Sequence, residues 1–194
     1  TLTELWDAAR AAQHPPTAEE VAAAQSRVDW RALELRMRAV DDGEHPEVRL
    51  LRAGMKIDRG ALIKGLALDG IARSWAAGGA VNALADLGSS SILACGVNAE
   101  GEPWRIGVRN PRGESRSDLA ATVQLSDAML SASGDDERYF LYEGRRYHHL
   151  VDPRTGDPAE TGLASVTVIL PQDAMTGTMW AGHEGQLSDM LSTA

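Results

Sequence analysis

The sequence predicts a mixed fold of helices and sheet, on three observations. A capping signature opens a helix near residue 17, apolar residues at helical spacing run from Gly60 to Ala77, and seven short strand-like segments follow. Pro15-Pro16-Thr17-Ala18-Glu19-Glu20 makes Thr17 an N-cap with Glu20 as its reciprocal partner, predicting a helix to about Val28. Segments at 32–38 and 47–52 flank Asp41-Asp42-Gly43-Glu44, which reads as a hairpin turn. Leu62, Ile63, Leu66, Ala67, Ile71, Ala72 and Trp75 share the helical spacing, and Gly78-Gly79 supplies the stop. Strands are expected at 81–86, 91–96, 104–109, 121–125, 138–142, 146–151 and 164–170, with Glu143-Gly144 as a tight hairpin between two of them. Segment 131–140 reads as a small-residue loop entering an aromatic strand, and 189–194 as the possible start of a helix.

With 43% apolar residues, a chain of 194 residues builds a true core, and a single domain over 1–194 is expected. A formal net charge of −9 argues against a nucleic-acid partner, which calls for a basic surplus or stripe. Cys95 is the single cysteine, so an internal disulfide is excluded. No apolar run approaches the ~20 residues that span a bilayer, and no export signal opens the chain, so no transmembrane segment is expected.

The densest chemistry lies in Arg146-Tyr147-His148-His149-Leu150-Val151-Asp152-Pro153-Arg154-Thr155-Gly156. Donors and a proton-transfer group held by a tight turn suit a phosphorylated ligand; the competing reading is a polar hairpin end. His148 and His149 are adjacent, so within a strand they face opposite ways and one of them is expected to be structural. In Met55–Gly65 a carboxylate, Asp58, precedes a helix and Lys64 lies in its first turns, an arrangement that attracts phosphate. The glycine spacing is not that of a Walker A loop, and the competing role for Asp58 is a helix cap. Asp86-Leu87-Gly88-Ser89-Ser90-Ser91 allows close backbone approach to a ligand or forms a plain turn. Asp189 and Thr193 stand four apart, so on a helix their hard oxygens share a face suited to Mg2+. His14, His45, His183 and Cys95 lack zinc-site spacing.

Taken in order, these motifs resemble the ApbE family, the FAD:protein FMN transferases. The resemblance covers roughly Leu5 to Ala194 and rests on Leu5-Trp6, Asp58–Gly65, Asn82–Gly88, Pro103–Pro111, Ser133-Gly134-Asp135, Tyr147–Gly156 and Ser165–Val168. It implies an α+β domain, a mixed, mostly antiparallel sheet with packed helices. It further implies Mg2+-dependent transfer of FMN from FAD to a Thr or Ser hydroxyl of a target flavoprotein, with release of AMP. The alternatives are a catalytically degenerate FAD-binding or interaction domain, or an FAD pyrophosphatase. By position, His149 matches the catalytic histidine, and Asp58, Lys64, Leu150 and Thr155 match nucleotide-binding positions. The backbone carbonyl of Ala61, with Asp189, Ser192 and Thr193, matches the metal-ligand positions. An alternative register puts Gly177 and Ala181 at the last of these. Arg59, Ser89 and Asp136 depart from the usual residues, and the family normally carries about a hundred residues before the Leu-Trp position. The resemblance implies a location in the periplasm or on the outer face of the cytoplasmic membrane.

Overall fold

The structure, a computed structural model, describes residues 1–40 and 43–171. In chain order the elements are α1 (Leu2–Ala12), α2 (Ala18–Gln25), β1 (Leu33–Val40), β2 (Gly43–Leu50), α3 (Gly60–Gly78), β3 (Ala83–Asp86), β4 (Ser91–Cys95), β5 (Trp104–Arg109), β6 (Leu119–Leu125), β7 (Ala128–Gly134), β8 (Tyr139–Tyr142), β9 (Arg145–His148) and β10 (Ser165–Pro171). Every strand pairing among them is antiparallel, as the expected fold class requires. The described residues fall into two units, Thr1–Asp58 with Glu137–Glu160, and Arg59–Asp136 with 161–171.

In the first unit, Leu2, Trp6 and Ala9 form one stripe of α1 and are buried with Phe140 of β8, against Tyr142, Tyr147 and Val151. No helix is expected at 2–12 from the punctuation of the sequence, although that stripe is its signal. α2 carries the capping box as expected, with Thr17 Oγ1 accepting from Glu20 N and the Glu20 carboxylate accepting from Thr17 N at 2.8 Å. It ends at Gln25, short of Val28, because Arg27 N and Val28 N turn to the carbonyls of Ala24 and Gln25 in a tightened last turn. β1 and β2 form the expected hairpin, with Val40 opposite Gly43.

The second unit has a four-stranded sheet in the order β10-β7-β4-β3. β4 is buried at all five positions because it is covered on both faces. Leu93 and Cys95 pack with Met129 and Leu68 against Ile71, Ala72 and Trp75 of α3. Ile92 and Ala94 point the other way, to Leu130 and to Ile106 and Leu125 of the β5–β6 hairpin. The expected loop at 131–140 is corrected: β7 continues to Gly134, pairing with both β4 and β10. Its Ser131-Ala132-Ser133-Gly134 end has weak strand propensity, but the ladder with β10 runs its whole length and the one with β4 reaches Ser131, and these decide it. α3 stops at Gly79, whose φ of 72° is the left-handed cap expected there.

Candidate functional site

The polar run that dominates the sequence begins in β9. β8 and β9 are joined by Glu143 and Gly144, both at positive φ, 50° and 77°, as a two-residue hairpin of this twist requires. β9 ends at His148, and His149 N donates to Arg138 O at 3.1 Å, so His149 is held one residue past the strand. Beyond it, Ala159 N donates to Leu150 O at 2.9 Å, Asp152 N to Asp157 O at 2.9 Å and Gly156 N to Asp152 O at 2.8 Å. Asp152 to Asp157 is thereby closed into a turn.

α1 and α2 clamp that turn. The Trp6 indole N–H donates to Gly156 O at 2.8 Å in a buried bond, and Gln25 Nε2 donates to the carbonyls of Pro153 and Arg154. Gly156 is buried at φ 79°, and a Cβ there would lie 2.6 Å from Val21 Cγ1. Glycine therefore meets both a conformational and a steric demand. The Arg154 amide donates to Asp152 Oδ1 at 2.8 Å while its guanidinium grips the same carboxylate, holding Asp152 below the usual carboxylate range. Thr155 Oγ1 accepts from Asp157 N at 3.2 Å, a bond that uses an oxygen lone pair and not the hydroxyl hydrogen.

His149 lines a recess with room for about one water molecule. Trp6, Phe140 and Tyr147 form its aromatic wall, with ring centroids 5.8 Å apart for Trp6–Tyr147 and 5.2 Å for Phe140–Tyr147. Asp7, Arg10, Arg138 and His148 complete it. The expectation that the two histidines face opposite ways is corrected, because alternation holds only inside a strand and His149 has left β9. Burial pushes the His149 imidazole below its ordinary value, and the charge of Arg138 adds to the effect, so the ring is neutral at pH 7.

In the second unit, Ala61 and Lys64 lie in the first turns of α3. Lys64 Nζ donates to Ser90 Oγ at 2.7 Å, which unites two segments that the sequence offered separately. The loop beneath it has Gly88 at φ 70° and Ser89 at φ 60°, with Ser89 N donating to Asp86 Oδ1 at 2.6 Å. Asp58, in the first unit, is exposed, and the helix cap position falls on Arg59. An ion pair that the motif reading missed closes the end of β7. Arg112 binds the buried Asp135 in bidentate fashion, both bonds at 2.6 Å, and Arg109 Nε lies 3.7 Å from Asp136. The Arg-Asn-Pro-Arg and Gly-Asp-Asp runs held that signal as complementary charges.

Among the described residues, no group of three His, Cys, Asp or Glu is placed to hold a metal ion. The expected ligands Asp189, Ser192 and Thr193, and the alternatives Gly177 and Ala181, lie outside the described residues. No helix among the described residues is long and apolar enough to cross a membrane.

The arrangement of these motifs has counterparts elsewhere, and the model of the ApbE family matches residues 1–183. This chain belongs to the ApbE family. The FAD:protein FMN transferase of Treponema pallidum is 34% identical over 177 residues, 87% of this chain and 48% of the relative. That of Salmonella typhimurium is 30% identical over 172 residues, 88% of this chain and 47% of the relative. Among solved structures, the ApbE protein of Thermotoga maritima aligns with a TM-score of 0.62 at 34% identity, covering 82% of this chain and 49% of that one. This ApbE-family chain thus spans about half the length of the relatives it matches.

Proposed function

We propose that this chain is the part of a flavin transferase that handles the diphosphate of FAD, moving FMN to a Thr or Ser hydroxyl of a target flavoprotein. The hydroxyl oxygen bonds to the FMN phosphorus, the bond from that phosphorus to the AMP oxygen breaks, and the hydroxyl proton is given up as AMP leaves. The observation that carries the reading is the clamped turn 152–157 with its Thr155 hydroxyl, which follows within a few residues the neutral His149, itself held through its amide to Arg138 O. Lys64 supplies a cation beside a small-residue loop that admits a phosphate. Mg2+ would be held by the Ala61 carbonyl with Asp189, Ser192 and Thr193, and would offset phosphate charge. A neutral imidazole accepts the hydroxyl proton or donates to a phosphate oxygen, according to which nitrogen bears the hydrogen. On this reading the reaction takes place in the periplasm or at the outer face of the cytoplasmic membrane.

The test is incubation with FAD, Mg2+ and an acceptor flavoprotein domain, reading covalent flavin fluorescence on the acceptor and free AMP. Labelled acceptor with stoichiometric AMP supports the reading. AMP without labelling points to pyrophosphatase activity, and tight FAD binding without turnover to a degenerate binding domain. Asp189→Arg should abolish the Mg2+ dependence of FAD binding; unchanged dependence moves the ligand set elsewhere.

A further inference from the structure

Lys56 and Lys64 are the two lysines of the chain, and their surroundings differ. Lys56 Nζ sits on the Glu4 carboxylate, 2.7 and 2.9 Å from its oxygens. Lys64 Nζ, on the half-buried side chain of α3, meets no carboxylate among the described residues; its partner is a neutral oxygen, Ser90 Oγ, at 2.7 Å. An ammonium carries three N–H donors, and a partly desolvated charge with no carboxylate beside it favours an anion on the two left over. The Ser90 hydroxyl also has a bond left to make. It accepts from Lys64 with a lone pair, and its own hydrogen has no acceptor among the described residues. Gly88 leaves the ammonium uncovered on one side, since a Cβ there would stand 3.5 Å from Nζ.

We propose that Ser90 is a phosphate-binding residue, whose hydroxyl donates to the same phosphate group that the Lys64 ammonium contacts. The inference rests on the reading of Lys64 as a residue that binds the diphosphate of FAD. Ser90 lies on the turn between β3 and β4, and the backbone of that turn is fixed at three points. Ala132 N of β7 donates to Ser90 O at 2.8 Å, Leu87 N to Ser91 O at 2.9 Å and Ser89 N to Asp86 Oδ1 at 2.6 Å. A hydroxyl on so fixed a backbone holds the end of a flexible lysine stem that would otherwise spread its charge over many positions. Donors 2.7 Å apart can share one phosphate oxygen or take two oxygens of one phosphoryl group, and bonds to an ionised acceptor are the stronger kind.

The experiment is 1H–13C correlation NMR on the 13C-lysine-labelled 194-residue chain, titrated with inorganic pyrophosphate at constant ionic strength. Two ε-methylene signals are expected, with Lys64 assigned as the one lost in Lys64→Arg. Pyrophosphate should move the Lys64 signal saturably and leave that of Lys56 in place. Ser90→Ala and Ser90→Gly, both without the hydroxyl, should weaken this binding about tenfold or more, whereas Ser90→Thr should stay within about threefold. An unsubstituted chain whose Lys64 signal does not respond saturably overturns the proposal, whichever variants fold. So does binding as tight in Ser90→Ala or Ser90→Gly as in the unsubstituted chain, or an equal loss in Ser90→Thr, since the hydroxyl is then not what binds. Pyrophosphate held by Lys64 and Ser90 without flavin transfer would instead sink the reading of the reaction. Transfer by Ser90→Ala with an unchanged KM for FAD would sink the role of Ser90 alone.

Discussion

Ser89 at φ 60° follows Gly88 at φ 70°, and a left-handed backbone costs a residue with a Cβ about 1 kcal/mol. Ser89→Gly should therefore raise stability by about 0.5–1 kcal/mol in urea denaturation. An unchanged midpoint would mean that the greater freedom of glycine in the unfolded chain cancels the relief, since the backbone bond from residue 89 N to Asp86 is kept in both. His149 tests chemistry at the same scale. His149→Gln keeps a polar amide in place but cannot exchange a proton, and should slow flavin transfer by about 10²–10⁴-fold while FAD affinity changes only a few-fold. Equal losses in rate and affinity would show that the ring binds without taking part in the transfer. The residue types of this segment were legible in the sequence. The shared recess of His148 and His149 was not, because strand alternation gives no warning of where β9 ends.

The turn between β9 and β10 keeps its shape through α1 and α2, elements more than a hundred residues earlier in the chain. Gly156→Ala should cost about 2–4 kcal/mol, from the 2.6 Å approach to Val21 Cγ1 together with the left-handed φ. Adding Val21→Ala should recover the steric part and leave about 1 kcal/mol, measured by a double-mutant cycle in urea. Additivity in that cycle would show that the turn does not press on α2. At the end of β7, Arg112→Met keeps the bulk but removes the bidentate partner of the buried Asp135, and should cost about 1–3 kcal/mol. Secondary structure with clear punctuation, such as α3 and the two hairpins, was readable from sequence. β7 was not, since its small residues become a strand only through pairing with β10, a segment some thirty residues further along the chain.

Across the described residues as a whole, the lowered imidazole of His149 and the lowered carboxylates, Asp152 with Glu4, Glu20 and Glu47, all make stability fall as pH drops. The His149 imidazole is lowered in the folded state, so the unfolded chain takes up that proton first; the related stability is full above about pH 6.5 and falls as pH drops below it. Asp152, also lowered, contributes stability that is lost further down, as pH falls below about 3.9. Thermal melts from pH 8 to 3 should show both declines, and His149→Gln should flatten the upper one alone. A variant with an unaltered upper decline would assign it to other histidines. The family was legible in the order of motifs along the sequence, and the family model that matches residues 1–183 shows it. The sequence by itself determined the helical and strand periodicities, the caps, and the residue types of the turn, all set by neighbours within a few positions. Tertiary structure alone decided that Trp6, Val21 and Gln25 hold Gly156 and its flanking carbonyls, and that Arg10 shares a recess with His149. Contacts between residues so far apart depend on how packed elements meet, and local patterning carries no record of that.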